Sequence, residues 1–189
     1  VVTSDHGEEI FERGRFDHGQ TLHEEVTHVP LVMWAPGRIP AGRVVRGPVS
    51  LVDLPATLTD LGGLDDRHGD GRSLRPLWER GESARSGRLA YAQTYDEEGA
   101  LVGAVWSGPL KYLRREHGES VSERLFDLAE DPGEMRNLAA ARPGELERLR
   151  RLWREHVEGA RKTQEELGVG EEGLDRETID RLKSLGYAQ

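Results

Sequence analysis

The stretch that decides how this chain is interpreted lies at its start, where residues 1–7 are Val1-Val2-Thr3-Ser4-Asp5-His6-Gly7. The two valines and the threonine predict the end of a buried strand, and Gly7 predicts the turn that follows it. In open α/β sheets, ligands bind beyond the carboxyl ends of the strands. Asp5 and His6 therefore stand where a binding site is expected, and the predicted fold class is α/β.

Further core elements follow this opening. Residues 20–27 have helical composition, and the apolar run at residues 29–34 predicts a second core strand. A helix is predicted to start at Asp53, which can cap it, and to end at Gly62-Gly63. Because the chain opens inside a predicted strand, with neither a methionine nor a leader sequence, we expect further sequence upstream of Val1.

The second half of the chain predicts a smaller subdomain. Residues 63–88 are rich in Gly, Asp, Arg and Ser, which predicts a long surface connection. Strand-like segments separated by turn signals then predict a small antiparallel sheet, near residues 89–94, 101–106, 110–114 and 123–127. An amphipathic helix over residues 143–160 and a short helix near residues 175–185 follow it. We expect two domains, an α/β core part over residues 1–75 and a small α+β subdomain over residues 76–189.

Composition excludes several classes of function. The 189 residues carry a net charge of −9 and no basic cluster with interleaved aromatics, which argues against nucleic-acid binding. No apolar run approaches the roughly 20 residues that a transmembrane helix needs. The absence of cysteine removes disulfides, thiolate metal sites and a cysteine nucleophile from these residues.

Asp5 and His6 are the strongest candidates for a metal site. Adjacent side chains on a turn can both reach one cation, and they offer a hard carboxylate oxygen and a borderline imidazole nitrogen. The alternative is structural: Asp5 caps the turn, and His6 is a partly buried histidine with its hydrogen bonds satisfied. The residues themselves leave both interpretations open.

Several other polar residues allow a functional or a structural interpretation. His18 lies in a loop that can fold back over the Asp5 strand end, where it can bind an anionic substrate oxygen or donate a proton to a leaving group; the alternative is an exposed loop histidine. His23 is predicted to be structural, and His28 either faces the pocket or merely precedes the strand. Lys111 could point at a ligand, but the prediction is an outward orientation, which is usual for a lysine on an antiparallel strand. Solvated carboxylates are expected at Glu8 and Glu9. Five arginines could contact an anionic substrate, and the sequence does not distinguish among them: Arg13, Arg15, Arg38, Arg43 and Arg46.

Taken together, four segments of the chain resemble sulfatases, which belong to the alkaline phosphatase superfamily. The second metal-ligand block of that family is similar to Thr3-Ser4-Asp5-His6-Gly7-Glu8-Glu9, His18-Gly19 and Glu24-Glu25-Val26-Thr27-His28-Val29-Pro30-Leu31. The helix that follows it in the family resembles residues 50–58. A signature near the C-terminus of sulfatases is similar to residues 125–139, as a turn that links the small sheet to the last helix. The ending at residues 182–187 also resembles a family terminus.

The resemblance implies a cofactor and residue roles. Asp5 and His6 match positions that ligate one divalent cation, often Ca²⁺. Many sulfatases carry Asn where His6 stands, and His occurs there in related phosphonate and phosphate-ester hydrolases, often with Mn²⁺ or Zn²⁺. His18 falls in the loop where many sulfatases carry a lysine that touches the sulfate, which implies a substrate-binding and catalytic role. The nucleophile would be a formylglycine made from an upstream Cys/Ser-x-Pro-x-Arg motif.

The function implied is the hydrolysis of sulfate esters by a metal-dependent enzyme whose C-terminal portion is this chain. The chain alone is expected to be inactive, because the nucleophile is missing from it. One alternative is a phosphoester or phosphonate hydrolase, or a phosphoryl transferase, of the same superfamily; another is a non-catalytic relic of the fold. The expected ligand is a small-molecule or glycan sulfate ester, and the resemblance is compatible with a periplasmic or secreted enzyme.

Overall fold

The computed structural model describes residues 1–64, 69–80 and 87–166. Val1–Trp153 forms one compact unit, and a second unit begins at Arg154. The predicted division between residues 75 and 76 falls inside the first unit and stays a prediction. The helix predicted near residues 175–185 lies outside the described residues. None of the helices in the described ranges is long and apolar enough to cross a bilayer.

Short elements carry the first half of the chain. They are β1 (Val2–Thr3), β2 (Glu9–Ile10), β3 (Phe16–Asp17), α1 (Glu24–Thr27), β4 (Leu31–Val32), α2 (Asp53–Gly62) and α3 (Arg75–Glu79). β1 pairs antiparallel with β4, and β2 pairs antiparallel with β3. The two strands expected around the opening stretch therefore exist. The expected burial of both strands is wrong for this chain: Val1 and Val2 are 55% and 66% exposed, and Val32 and Trp34 are 59% and 82% exposed.

The segment between residues 63 and 88 is more than the surface connection that was expected. α3 lies within it, and Leu74, Leu77 and Trp78 are buried in a small apolar cluster. Partly buried Leu54 and Leu61 of α2 pack against this cluster. The polar composition of the segment concealed α3, because Leu77 and Trp78 are too few apolar residues to set a helical period.

The four strands predicted in the second half form one antiparallel sheet. They are β5 (Leu89–Tyr95), β6 (Leu101–Ser107), β7 (Leu110–His117) and β8 (Ser120–Asp127), in the order β5-β6-β7-β8. The predicted amphipathic helix is α4 (Pro143–Glu166), which is longer than expected. The architecture agrees with the predicted α/β core fragment followed by a small antiparallel sheet and helix.

The two faces of the sheet pack against different partners. One face carries a buried cluster of Val102, Ala104, Trp106, Leu113 and Phe126, which includes Leu22 from the first half of the chain. On the opposite face, Trp153 of α4 lies against Gly103, where an added Cβ would come within 2.2 Å of the indole ring. Burying a large apolar side chain contributes about 1.5–3 kcal/mol. The first face therefore holds the loop of residues 18–22 beside the sheet.

Candidate metal and substrate site

One open cavity of about 1230 Å³ gathers the predicted site residues. Asp5 and His6 reach it from the turn after β1, and His18 reaches it from the loop after β3. β5 supplies Tyr91 and Thr94 to the wall. The β3 loop lies next to the β1 turn, because the His18 ring stacks on the His6 ring, so residues distant in the sequence share one space.

The turn after β1 presents two ligand atoms to the cavity. The backbone N–H of His6 donates to Asp5 Oδ1 at 3.0 Å, and Asp5 Oδ2 lies 3.7 Å from His6 Nε2. Hydrogen bonds from the backbone N–H groups of Asp5 and His6 lower the pKa of Asp5. The carboxylate is therefore ionised at neutral pH, as a metal ligand must be.

The tautomer of His6 also suits a metal ligand. His6 Nδ1 lies 2.9 Å from the carbonyl oxygen of Gly7, which only accepts hydrogen bonds. We assign the proton to Nδ1 on this ground, and Nε2 then keeps its lone pair. A backbone carbonyl that holds the far nitrogen is a common arrangement around metal-bound histidine.

Gly7 fixes the direction of this turn. Its backbone N–H donates to the carbonyl of Val26 at 2.7 Å, and an added Cβ would lie 2.1 Å from the carbonyl oxygen of Glu25. Only glycine allows this close approach. The turn that carries Asp5 and His6 is thus held against α1.

His18 lies directly against His6. The two rings stack with centroids 4.0 Å apart and an interplanar angle of 22°. Nδ1 of His18 is 3.2 Å from Glu8 Oε1 and 3.2 Å from Asp17 Oδ1, so its N–H points at these carboxylates. Nε2 of His18 makes no hydrogen bond with the described residues and is available to a substrate.

The other histidines and the arginines separate into distinct groups. His28, for which the sequence allowed either a place in the pocket or a structural place before β4, lines the cavity. Arg46 is the one member of the five candidate arginines among the residues lining this cavity. Arg13 and Arg15 line a second cavity instead, and Arg38 and Arg43 line neither of the two.

A buried ionic cluster beside the site was missed by the sequence analysis. Lys111 is wholly buried, so the predicted outward orientation is wrong; its Nζ lies 2.9 Å from Glu24 Oε1 and 2.8 Å from Glu134 Oε1. Glu134 Oε2 accepts hydrogen bonds from His23 Nδ1 at 3.0 Å and from the backbone N–H of Glu24 at 2.7 Å. His23 is buried and structural, as expected. The cluster holds α1, and with it the Gly7 turn, against the sheet.

Glu9 is the second carboxylate whose predicted exposure is wrong. It is 1% exposed, and its Oε1 accepts a hydrogen bond from the Thr21 hydroxyl at 3.1 Å. No signal in the sequence marks Glu9 as buried, because Glu8 and Glu9 look alike there.

The burial of Lys111, in contrast, has a signal in the sequence: it lies between Leu110 and Tyr112 in an otherwise apolar strand start.

Asp5 and His6 fit a divalent cation as two of its ligands. Their free oxygen and nitrogen are close enough to contact one ion, and both are exposed to the cavity. Two donors leave most of the coordination positions of Ca²⁺ to other groups. A second group of potential ligands, Glu8, Asp17 and His18, lies on the same rim, but all three side chains are exposed.

Comparison with known proteins gives one consistent family. The family model described as Sulfatase matches residues 1–64. Arylsulfatase K of Xenopus laevis is 31% identical over 177 residues, which cover 84% of this chain and 31% of that protein. The chain thus spans about a third of the length of the curated relatives it matches.

Solved structures show the same fold. A putative sulfatase from Bacteroides thetaiotaomicron superposes with a TM-score of 0.74 at 24% identity, over 85% of this chain and 36% of that one. A structure in complex with its substrate D-glucosamine-2-N,6-O-disulfate gives a TM-score of 0.70 at 23% identity, over 89% and 34% of the two chains. The phosphonate monoester hydrolase of Agrobacterium radiobacter gives 0.58 at 31% identity, over 82% and 34%.

Proposed function

This chain belongs to the sulfatase family, and from that premise we propose that it supplies the C-terminal part of an enzyme that hydrolyses sulfate esters. The observation that carries the proposal is that Asp5, His6 and His18, which come from two separate loops, line one open cavity. A cavity with a carboxylate, a lone-pair imidazole and a second imidazole has the groups needed to hold a cation and to handle a leaving-group proton.

Asp5 and His6 are proposed to hold one divalent cation. Ca²⁺ is the first choice because it is the common ion of the family, and Mn²⁺ or Zn²⁺ are the alternatives because His6 offers nitrogen. When bound, such a cation stabilises negative charge on the sulfate oxygens and orients the nucleophile. The remaining ligands would come from sequence beyond these residues.

His18 is proposed to contact the substrate. Its Nδ1–H is held by Glu8 and Asp17, so Nε2 is the atom that faces the sulfate or the bridging oxygen. When both nitrogens carry protons, the ring can donate the Nε2 proton to the leaving alcohol. The stack on His6 keeps His18 next to the proposed metal ligand, so the two functions share one place.

The nucleophile is proposed to lie upstream as a formylglycine. The 189 residues contain no cysteine from which it could be made, and no serine in a nucleophile elbow. We therefore expect these residues alone to release no sulfate. The DNA upstream of Val1, read in frame, should encode a Cys- or Ser-x-Pro-x-Arg motif preceded by an Asp-Asp pair; an in-frame start codon just before Val1 would contradict the proposal.

The proposed substrate is a sulfate ester of a small molecule or a glycan. A structural relative takes a disulfated glucosamine as its substrate, and a cavity of about 1230 Å³ exceeds the 300–1,000 Å³ of typical small-molecule sites. Among its mostly apolar walls, the hydroxyl groups of Ser50 and Thr94 and the guanidinium group of Arg46 can contact sugar hydroxyls or further sulfates. The saccharide is therefore the first class of ester to assay.

Mutation of the proposed ligands tests the metal assignment in the complete enzyme. Asp5→Ala and His6→Ala should abolish sulfate release and lower the metal content measured by mass spectrometry. The matched control is His117→Ala, which removes an exposed imidazole at the end of β7; it should leave both quantities unchanged. Equal and mild effects of all three changes would contradict the ligand assignment.

A second candidate function is hydrolysis of phosphonate or phosphate esters. It is favoured by the 31% identity with a phosphonate monoester hydrolase and by the imidazole of His6, which suits Mn²⁺ or Zn²⁺. Parallel assays of a sulfate monoester and a phosphonate monoester on the same enzyme separate the two candidates. Activity on neither ester, in an enzyme that retains its metal, would indicate a non-catalytic relic of the fold.

A further inference from the structure

A second cavity, of about 320 Å³, lies next to the proposed active site. Thr21 lines both cavities, so they meet at the loop after β3. The smaller cavity is lined by four arginines, and we call it the arginine pocket: Arg13, Arg15, Arg115 and Arg124. Asp96 is the one acidic residue in its described lining.

The sheet itself supplies half of these arginines. Arg115 of β7 pairs with Ser122 of β8, and Arg124 follows Ser122 by two residues. Because side chains alternate along a strand, Ser122 and Arg124 project from the same face as Arg115. This is the face that also carries Leu113, so the pocket begins where the apolar cluster ends.

Two of the four guanidinium groups already have anionic partners. Arg115 Nε lies 2.6 Å from Asp96 Oδ2, and its Nη2 lies 2.5 Å from Glu98 Oε2. Arg13 Nη2 lies 3.2 Å from Glu25 Oε1. These ion pairs hold the walls of the pocket in place. They also neutralise most of the positive charge that Arg13 and Arg115 could offer to a ligand.

The other two guanidinium groups have no anionic partner among the described residues. Arg15 donates to the neutral side-chain oxygen of Gln20 at 3.1 Å. The guanidinium group of Arg124 forms neither a hydrogen bond nor an ion pair with any residue in the described ranges. In a chain whose net charge is −9, two arginines without an anionic partner among the described residues give this pocket a local positive charge.

We propose that the arginine pocket binds a second anionic group, a sulfate or a carboxylate, of a polyanionic saccharide whose reactive ester occupies the larger cavity. The inference rests on the proposed sulfatase function. Guanidinium groups bind such oxoanions through paired N–H donors, and Gln20, Thr21 and Ser122 offer the amide and hydroxyl groups that sugar hydroxyls need.

A saccharide fits this pocket better than an acidic peptide. Stable peptide sites contain apolar or aromatic anchor pockets, whereas the apolar side chains in this lining are those of Val102 and Leu113. Because Thr21 lines both cavities, they lie side by side, and one extended chain can reach from one to the other. The pocket would therefore select polymers over singly sulfated sugars.

The test is a direct binding titration of a heparin hexasaccharide to the chain by calorimetry at about 0.15 M salt, where distant surface charges are screened. Arg124→Ala and Arg15→Gln should each weaken binding about 3- to 10-fold, as expected for loss of one charged contact. Arg43→Ala is the matched control, because it removes the same charge from an exposed residue that lines neither cavity. It should change the Kd less than about twofold.

A thermal melt of each variant checks that it is folded. Arg124→Lys keeps the positive charge and should restore part of the affinity that Arg124→Ala loses. Equal weakening by Arg124→Ala and Arg43→Ala would overturn the proposal. Hexaglutamate bound as tightly as the hexasaccharide would overturn it in favour of an acidic peptide. The titration needs no turnover, so failure of the arginine effect is distinct from failure of the complete enzyme to release sulfate.

Discussion

At the scale of single residues, Glu134 is the group whose ionisation bears most on stability. Burial would raise its pKa, but the hydrogen bond from His23 and the adjacent Lys111 ammonium more than offset this and lower the pKa from 4.5 to about 2. A carboxyl whose folded-state pKa is depressed stabilises the fold above its unfolded pKa. That stabilisation is lost as the pH falls from about 4.5 to about 2.

Glu134→Gln should therefore remove an acid-sensitive part of the stability. We expect the variant to lose on the order of 3 kcal/mol at pH 7, and much less at pH 3, where the wild type has itself lost part of that contribution. Urea unfolding at the two pH values measures the difference. Glu130→Gln, an exposed change in the same turn, should leave the pH dependence intact; an identical profile for both variants would contradict the role of Glu134.

Lys111 makes the complementary prediction. Lys111→Met removes the cation from two carboxylates, Glu24 and Glu134, and should cost about 3–5 kcal/mol because one partner of a buried ion pair is left alone. Lys162→Met provides the control, since Lys162 forms an exposed pair with Glu158 at 3.0 Å and such pairs contribute about 0.3–0.5 kcal/mol. Chemical denaturation of both variants measures the loss in the free energy of unfolding. Similar losses would mean that the charge of Lys111 does not stabilise Glu24 and Glu134.

At the scale of elements, the packing of α4 on the sheet depends on the missing side chain of Gly103. Gly103→Ala would place a Cβ 2.2 Å from the Trp153 ring, and the helix or the indole must move. Such overpacking should cost about 1–3 kcal/mol. Gly144→Ala, within α4 and with no atom near the added Cβ, should be neutral or stabilising by up to about 1 kcal/mol. Melting curves compare them, and equal shifts would show that α4 is free to adjust.

At the scale of the whole molecule, the site is divided between what this chain holds and what the rest of an enzyme would add. Asp5 and His6 provide two donors, so we expect residues 1–189 to bind Ca²⁺ with a Kd of about 1 mM or weaker. Calcium at about that concentration should then raise the Tm by no more than a degree or two. Calorimetry with Asp5→Ala as the control measures this, and micromolar affinity would mean that these residues complete the site unaided.

The sequence by itself determined the local features of this protein. Strand-like composition and turn signals such as Ser107-Gly108-Pro109 were enough to predict β5–β8. Gly63 ends α2 in the left-handed conformation that its sequence predicted. The adjacency of Asp5, His6 and Gly7 needed no tertiary information to suggest a metal-binding turn. These features depend on residues within a few positions of one another, where backbone preference dominates.

Only the tertiary structure decided which polar groups are buried and which loops meet. Lys111 and Glu24 are 87 residues apart and His23 and Glu134 are 111 apart, so no local pattern could have revealed their shared cluster. The same holds for the arginine pocket, which Arg15 from the first half of the chain and Arg124 of β8 line together. Charges of opposite sign offset one another's burial cost only when the fold brings them together, and the fold of these loops is set by apolar contacts such as that of Leu22 with the sheet.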